Sequence, residues 1–258
     1  MNFILITLAS TAGLFVGMLV FSEMGRRIGA ARLARHPEIA SKGSPAEAAV
    51  FALLGLLLAF TFSGAASRFE HRRHLIGEES NAIGTAYLRL DVLPADARPE
   101  IQDLVRRYLD VRTTVYHATD DQAETVARLA AAEALQGQIW EKAVAASRRP
   151  EIAPPAATFL LGALNVMIDI TTTRAVASET HPPLIIFYLL GGLCLVGALL
   201  VGQGLAASQS RSWFYPVIFA AILSSAVYVI VDIEYPRLGL VRVDAADHIL
   251  GDLRKSMQ

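Results

Sequence analysis

Apolar residues in this chain of 258 residues are gathered into four long runs instead of being scattered. Each run has at least twenty residues and contains no Asp, Glu, Lys or Arg; the runs are residues 1–22, 48–67, 182–210 and 212–231. An α-helix needs about 20 apolar residues to cross the roughly 30 Å of hydrocarbon in a bilayer. The pattern therefore predicts four transmembrane helices surrounded by lipid.

The first run has a second interpretation, a cleaved secretory signal peptide. It lacks a positively charged segment before the apolar stretch and a small-x-small cleavage pattern, and it is longer than the apolar part of a signal peptide. Its positive charges come afterwards, at Arg26, Arg27, Arg32 and Arg35. The sequence favours an uncleaved first span.

Between the second and third runs, the chain has the charge density of a soluble domain. We interpret this part as helical throughout, with helices separated by prolines such as Pro94, Pro99 and Pro150. Residues 119–122 form a capping box that starts a helix reaching about Ser147. Since no stretch shows the alternation of a β-strand, the predicted fold is an all-α integral membrane protein.

These patterns divide the chain into four parts. Transmembrane helices 1 and 2 occupy residues 1–67, a helical extramembrane domain follows at 68–181, helices 3 and 4 occupy 182–231, and 232–258 form a C-terminal tail.

A seven-residue apolar repeat crosses the boundary between the second run and the charged stretch after it. Its members are Phe62, Phe69, Ile76, Ile83 and Leu90. Such a repeat is typical of a helix that packs along its length against other helices. It predicts one helix from residue 48 to Leu93, ended by Pro94. Two helices with a bend near Gly64 or Gly77 are the alternative.

Within the membrane, the second span carries two kinds of strip. Gly55, Ala59 and Ser63 form a small-residue strip that lets helices approach closely. Leu54, Leu58 and Phe62 form an apolar ladder beside it. If several copies of the chain surround an axis, this ladder is the candidate pore lining and apolar constriction. The alternative is an ordinary lipid-facing surface.

Arg68 and Arg72 lie one helical turn apart where the second span leaves the apolar region. Arginines at this level commonly anchor to lipid headgroups. In an oligomer they would instead form a ring at the pore mouth that attracts anions. Both interpretations remain open from the sequence.

Composition and motifs exclude several other functions. A net charge of −1 excludes a strongly basic nucleic-acid binder, and the single cysteine, Cys194, excludes a disulfide framework. His71, His74 and Glu78 share a helical face but do not match known helical metal motifs. With no phosphate loop or serine elbow, the sequence predicts neither an enzyme nor a cofactor or metal.

Three blocks of sequence resemble the bacterial bestrophin-like membrane proteins. The blocks are residues 55–94, with Asn81, Arg89 and Asp91; residues 164–183, with Asn165, Asp169 and Arg174; and residues 232–244, with Asp232, Pro236, Gly239 and Arg242. They occur in the expected order. The chain is therefore identified as a member of that family, remotely similar to bestrophin anion channels.

The resemblance implies a pentameric anion channel with four spans per subunit, a pore lined by the second span and a helical domain between spans two and three. Asp232 and Glu234 in the tail are similar to part of the calcium clasp of animal bestrophins, which makes them a weak candidate cation site. Two features depart from the family: the aromatic ladder of the bestrophin neck is not reproduced, and the tail lacks a dense acidic cluster.

The motif residues of the helical domain have structural or gating roles in this interpretation. We expect Asp169 and Arg174 to form an ion pair, or to pack against Arg89 or Asp91 of the long helix. A gate or effector site is the alternative.

The distribution of basic residues does not decide the orientation in the membrane, because six of them lie near the membrane on each side. The bestrophin layout places the helical domain and both termini in the cytoplasm of a bacterial inner membrane, and we follow it. The resulting hypothesis is a homo-oligomeric ion channel for anions such as chloride. The alternative is a membrane scaffold or sensor that assembles partners without conducting.

Overall fold

The computed structural model describes residues 3–35, 44–115, 122–207, 212–236, 238–241 and 244–257. These ranges contain eight α-helices and no β-strand, which confirms the all-α prediction. In chain order the helices are α1 (Phe3–Arg35), α2 (Pro45–Arg89), α3 (Arg98–Val115), α4 (Gln122–Ser147), α5 (Pro154–Glu179), α6 (Leu184–Gly204), α7 (Phe214–Glu234) and α8 (Asp244–Ser256).

Four stretches of helix are long and apolar enough to cross a membrane. They are Phe3–Arg35, Pro45–Val92, Pro154–Ala207 and Phe214–Glu234, and the third combines α5 with α6. Each contains one of the four apolar runs, or nearly all of it. The prediction of four membrane spans is therefore confirmed.

Helix α2 is a single element of 45 residues. It begins at Pro45, where the fixed φ of proline favours the first turn of a helix, and the hydroxyl of Ser44 accepts a hydrogen bond from the Glu47 amide at 3.3 Å. A short 3₁₀ turn, Leu90–Val92, follows its last residue, Arg89. Pro94, two residues after the end of this turn, prevents the helix from continuing.

The chain divides into two compact units, which we call the membrane unit and the helical unit. The membrane unit comprises Met1–Phe69 and His181–Arg242, and the helical unit comprises Glu70–Thr180 and Val243–Gln258. Helix α2 contributes its apolar part to the first and its charged part to the second.

The membrane unit is built on close backbone contact between α1 and α6. A Cβ added at Gly25 would overlap the carbonyl group of Leu199, and one added at Gly202 would overlap that of Ser22. Glycines at these positions let the two helices touch along their backbones, as is common in membranes. Around this crossing the buried core includes Met18, Leu190, Cys194 and Ala198.

The helical unit has a core of larger side chains. Ile76, Ile83, Tyr108, Ile139 and Leu164 are all fully buried in it. Two of these, Ile76 and Ile83, belong to the seven-residue repeat of α2, so that repeat supplies part of the buried face of the helix.

The C-terminal tail carries a helix in addition to those predicted from the sequence. In α8, Leu250 is fully buried, and the side chain of Leu253 would lie 3.2 Å from a Cβ at Gly84 of α2. Arg254 completes the contact with two hydrogen bonds to the Asp110 carboxylate of α3, at 2.7 and 3.3 Å. The tail is therefore part of the core of the helical unit.

Candidate functional site

The membrane part of α2 has one packed face and one broad exposed face. Leu54 is only 3% exposed and packs beside Gly197 of α6, so it belongs to the core of the unit. Leu58 is half-buried against the same core, whereas Phe62 is 46% exposed. The predicted ladder of three residues is thus divided between two surroundings, with Leu54 in the core and Phe62 exposed.

The exposed face of α2 carries two neighbouring strips. Gly55, Ala59 and Ser63, the small-residue strip, are exposed, and a Cβ at Gly55 would meet no atom within 4 Å. Beside it lie two large apolar side chains one turn apart, Leu56 at 52% exposure and Phe60 at 67%. Sequence reasoning missed this second strip because nothing in the sequence shows which side of α2 the other spans cover.

A buried carboxylate joins three parts of the membrane unit near the end of the spans. Glu234, the last residue of α7, is fully buried and accepts hydrogen bonds from Arg68 of α2 at 2.6 to 3.0 Å. The ring nitrogen Nδ1 of His181, just before α6, lies 3.0 Å from the same carboxylate. We call these three residues the Glu234 cluster. It compensates the charge of Arg68 within the chain.

Aromatic rings cover the Glu234 cluster on one side. Tyr235 stacks on the ring of His181 with centroids 4.5 Å apart, and Phe3 at the start of α1 lies 5.0 Å from the Tyr235 ring. Apolar cover of this kind excludes water from an ion pair and strengthens it. The cluster therefore fixes the ends of α2 and α7 and the segment before α6.

Asp232 holds the start of the tail. Its two carboxylate oxygens accept hydrogen bonds from the amides of Leu240 and Val241 at 2.8 and 2.7 Å. A Cβ at Gly239 would overlap this carboxylate, which accounts for a glycine at that position. Arg242, the last residue named in this motif, lies outside the described residues.

These contacts do not form a cation site. The oxygens of Asp232 face backbone amides, and those of Glu234 face Arg68 and His181. Across the part of the chain that the structure describes, no group of three or more His, Cys, Asp and Glu is placed to hold a metal. A calcium ion needs six to eight oxygen ligands, so the geometry favours an anchoring role for both carboxylates.

Arg72 caps the C-terminal end of α5 inside the helical unit. Its Nε donates to the carbonyl of Ala177 at 2.9 Å and its Nη2 to that of Thr180 at 2.8 Å. A cation is stabilised at a helix C-terminus because the last carbonyls have no partner within the helix. The side chain thus has a structural function that the sequence does not show.

The most deeply buried charges of the helical unit form a trio of Glu79, Arg112 and Arg174. Glu79 of α2 is fully buried, and its Oε1 accepts from Arg112 of α3 at 2.6 Å. Its other oxygen accepts from Arg174 of α5, whose side chain is 6% exposed. One carboxylate thereby joins three helices, and the three groups together carry a charge of about +1 at neutral pH.

The expected partner of Arg174 was Asp169, and the structure gives a different pairing. Asp169 is exposed and accepts from the Asn165 amide at 2.7 Å, whereas Arg174 is buried on Glu79. Five residues along a helix correspond to a rotation of about 140°, so the two side chains point in different directions. The expectation of an Asp169–Arg174 pair is wrong for this reason.

The remaining motif residues lie nearer the surface of the helical unit. The Arg89 guanidinium lies 3.6 Å above the Phe159 ring and donates to the Phe159 carbonyl at 2.9 Å. Asp91 pairs with Arg98 at 3.4 Å. Asn81 is exposed. Arg89 and Asp91 therefore contact neither Asp169 nor Arg174 in these interactions, but stabilise the segments next to them.

The order of helices, the four spans and the extramembrane helical unit can now be compared with known proteins. A family model of the bestrophin-like domain matches residues 8–247, which is most of the chain. The chain belongs to the bestrophin-like family. It is accordingly a multi-pass membrane protein.

Solved structures of bacterial bestrophin homologues share the fold of this bestrophin-like chain. One variant of the homologue from Klebsiella pneumoniae has a TM-score of 0.72 at 14% identity, covering 96% of this chain and 97% of that one. A second structure of the Klebsiella pneumoniae homologue has a TM-score of 0.69 at 15% identity, covering 94% and 97%. No curated protein sequence matches the chain. At these identities the likeness shows the fold alone.

Two partners in these ion pairs were missed from sequence, the buried Glu79 and the half-buried His181. Glu79 lies between Ile76 and Ile83 on the apolar face of α2, and a charge on such a face indicates a buried partner. The burial of Glu79 could therefore have been predicted from the sequence. The partners of Glu79, 33 and 95 residues away, could not. For His181, the sequence offers no comparable signal.

Proposed function

We propose that the chain assembles as a homo-oligomeric ion channel, selective for anions and lined by α2. The observation that supports the proposal most directly is the exposed face of α2 within the membrane unit. The bestrophin-like family and fold favour a channel over an enzyme. The anion preference rests on the resemblance to bestrophins.

The two strips on that face suit different tasks. The small-residue strip of Gly55, Ala59 and Ser63 leaves room for a helix of a neighbouring copy, because small side chains let backbones approach. Leu56 and Phe60 are too large for close backbone approach, and they lie on the adjacent side of the helix. In a ring of copies, they would face the axis.

Leu56 and Phe60 form the constriction in this arrangement. The exposed hydroxyl residue Ser67, seven residues after Phe60, continues this strip, so an apolar ring would open into a more polar segment. A narrow apolar ring gates conduction by dewetting. Phe62 lies about 160° around the helix from Phe60, so the two side chains cannot both line one pore.

Arg68 and Arg72 are anchors in this proposal, in contrast to the anion-attracting ring considered from the sequence. Arg68 pairs with buried Glu234, and Arg72 is held by carbonyls of α5. Charges compensated within the chain raise the local anion concentration much less than free charges do. The exposed polar residues Asn81, Asn165 and Asp169 are the candidates for a second lining segment.

The helical unit and both termini are cytoplasmic in this proposal, and the membrane is the bacterial inner membrane. Because basic residues are evenly distributed between the two sides, this assignment rests on the bestrophin layout. Cysteine accessibility at the exposed Ser178 of α5, probed with a membrane-impermeant thiol reagent in spheroplasts, tests it. Labelling only after lysis supports a cytoplasmic helical unit, and labelling of intact spheroplasts contradicts it.

Planar-bilayer recording from the purified protein under asymmetric chloride tests conduction and selectivity together. We expect a current whose reversal potential lies near that of chloride. Phe60→Ala should raise the conductance because it widens the constriction, while the matched variant Phe62→Ala should leave it nearly unchanged. An increase in conductance for Phe62→Ala but not for Phe60→Ala would instead support a pore lined by the ladder of Leu54, Leu58 and Phe62. Absence of current at every voltage, pH and calcium level would favour the scaffold function.

Assembly can be tested without any current. The only cysteine of the chain, Cys194, is buried, so a Cys194→Ala background leaves introduced thiols as the only reactive ones. Ala59→Cys in that background should form cross-linked dimers in membranes, since each chain carries one thiol. Val16→Cys on α1, which is 56% exposed, serves as the control and should remain monomeric. Equal cross-linking of both would contradict packing through α2.

A further inference from the structure

A shallow cleft lies inside the membrane unit between α1, α6 and α7. Its polar lining comes from Ser22, Glu23 and Arg26 on α1 and from Ser212 and Trp213 just before α7. Gly202 and Pro216 complete the walls. The enclosed volume of the cleft is only about 20 Å³, far below the range of about 300–1,000 Å³ for drug-sized ligands, so it has room for one polar atom of a ligand and the rest would lie outside it.

The cleft is positively charged. Glu23 accepts two hydrogen bonds from Arg26, through Nε and Nη2, both at 2.9 Å, and one from Arg27 at 2.9 Å. Two guanidinium groups on one carboxylate leave a net charge of about +1. Further along α1, Arg32 and Arg35 are exposed and add to the positive potential. This end of α1 therefore attracts anions.

The position along the helices places the cleft at a membrane surface. The first apolar run ends at Ser22, α6 ends at Gly204 and α7 begins at Phe214, all near the cleft. Three exposed aromatic residues occur together here, Trp213 at 42%, Phe214 at 64% and Tyr215 at 62%. Aromatic residues are enriched where a membrane protein meets the headgroup layer.

The walls of the cleft are held in place. Gly25 and Gly202 bring the backbones of α1 and α6 into contact beside it, so neither wall can move closer. The carboxylate of Glu23 is 16% exposed and keeps the Arg26 guanidinium in one orientation. A guanidinium fixed in this way loses little freedom when it binds a second anion.

We propose that this cleft binds the phosphate of an anionic phospholipid headgroup. The Nη1 side of Arg26, which lies outside its pair with Glu23, donates to the phosphate oxygens, and Ser22 and Ser212 line the same space. The acyl chains extend along the exposed apolar side chains of Val20 and Ile218. Basic pockets between transmembrane helices bind anionic headgroups by the same chemistry.

The test is native mass spectrometry of the purified protein with equal amounts of phosphatidylglycerol and phosphatidylcholine. We expect about fivefold preference for phosphatidylglycerol in the wild-type protein. Arg26→Gln should bring the ratio close to one, while Arg32→Gln, an exposed arginine on the same helix outside the cleft, should preserve it. Arg26→Lys should retain part of the preference because it keeps the charge.

Three outcomes would overturn the proposal. Equal binding of the two lipids by the wild-type protein would show that the cleft does not bind an anionic headgroup. An equal loss of the preference in Arg32→Gln and Arg26→Gln would show a diffuse charge effect. Displacement of the lipid by millimolar inorganic phosphate indicates a site for the free anion. Gel filtration of each variant confirms that it is folded. Since no current is measured, failure here leaves the channel proposal untouched.

Discussion

The membrane unit and the helical unit hold their helices together with different residues. In the membrane unit, Gly25 and Gly202 let α1 and α6 touch along their backbones. In the helical unit, the corresponding positions between helices are filled by large side chains such as Tyr108 and Ile139. Burying apolar surface drives helices together in water but not in lipid, where close contact and polar bonds must replace it.

Each unit nevertheless contains one fully buried glutamate that joins separate elements. Glu79 receives two arginines, and Glu234 receives Arg68 and His181. A buried carboxylate is costly unless it is paired. The difference lies in the partners, because Glu79 is held by two arginines and Glu234 by one arginine and a histidine.

The chain offers a direct way to follow the two units separately. It contains two tryptophans, Trp140 in α4 of the helical unit and Trp213 beside α7 in the membrane unit. Replacing either one by Phe leaves a fluorescent reporter in a single unit. Each prediction below is measured with these two single-tryptophan proteins in detergent.

The largest effect is expected from Glu79→Gln. Removing the charge leaves two buried arginines facing each other, so the free energy of unfolding should fall by about 3–5 kcal/mol. The decrease should be seen mainly through Trp140. Glu78→Gln, on the exposed side of α2 in a pair with His74, is the control and should change stability by less than about 0.5 kcal/mol. Similar effects for both would show that the trio is unimportant.

Arg68→Gln should have the next largest effect. It removes the arginine that pairs with the buried Glu234 carboxylate, and we expect a loss of about 2–3 kcal/mol. Trp213 should report this loss. The matched control is Arg73→Gln, since Arg73 pairs with Glu70 on the surface, with 57% and 65% of the side chains exposed. A larger change through Trp140 than through Trp213 would contradict the assignment of this cluster to the membrane unit.

Features that depend on one segment of the chain could be predicted from sequence, whereas features that depend on distant residues could not. The four spans follow from local composition, because crossing a bilayer demands a length that one segment must supply. The burial of Leu54 in the core does not follow from local composition, since it depends on the space at Gly197, 143 residues away along the chain. The partners of Glu79 are equally remote. By contrast, α8 could have been found from the spacing of Ile249, Leu250 and Leu253.

Gly202→Ala tests the packing of the membrane unit itself. Its methyl group would overlap the Ser22 carbonyl, so α1 and α6 must separate, and we expect a loss of about 1–3 kcal/mol seen through Trp213. Gly192→Ala on the same helix meets no atom within 4 Å and should be neutral or slightly stabilising. If both variants behave alike, backbone contact does not stabilise this crossing.

The smallest effect concerns an exposed pair in the helical unit. Hydrogen bonds from Arg149, at 2.6 and 2.8 Å, hold the pKa of Asp96 below its ordinary value of 3.8. Because the folded-state pKa is the lower one, this pair stabilises the fold above about pH 4, and the stabilisation is lost as pH falls further.

Comparing Asp96→Asn with the wild-type protein should therefore show a small difference in unfolding midpoint at pH 7 that shrinks as pH falls below about 4. The Trp140 reporter should detect it. A difference that does not change with pH would indicate that the substitution acts through something other than the charge of Asp96.

The contact between Asp232 and Gly239 also constrains how this chain can change during evolution. Any residue with a Cβ at position 239 would occupy the space of the Asp232 carboxylate. Conversely, without that carboxylate the amides of Leu240 and Val241 lose their acceptor, and position 239 no longer requires a glycine. The two positions should therefore covary among descendants of a common ancestor, with substitution at one accompanied by substitution at the other.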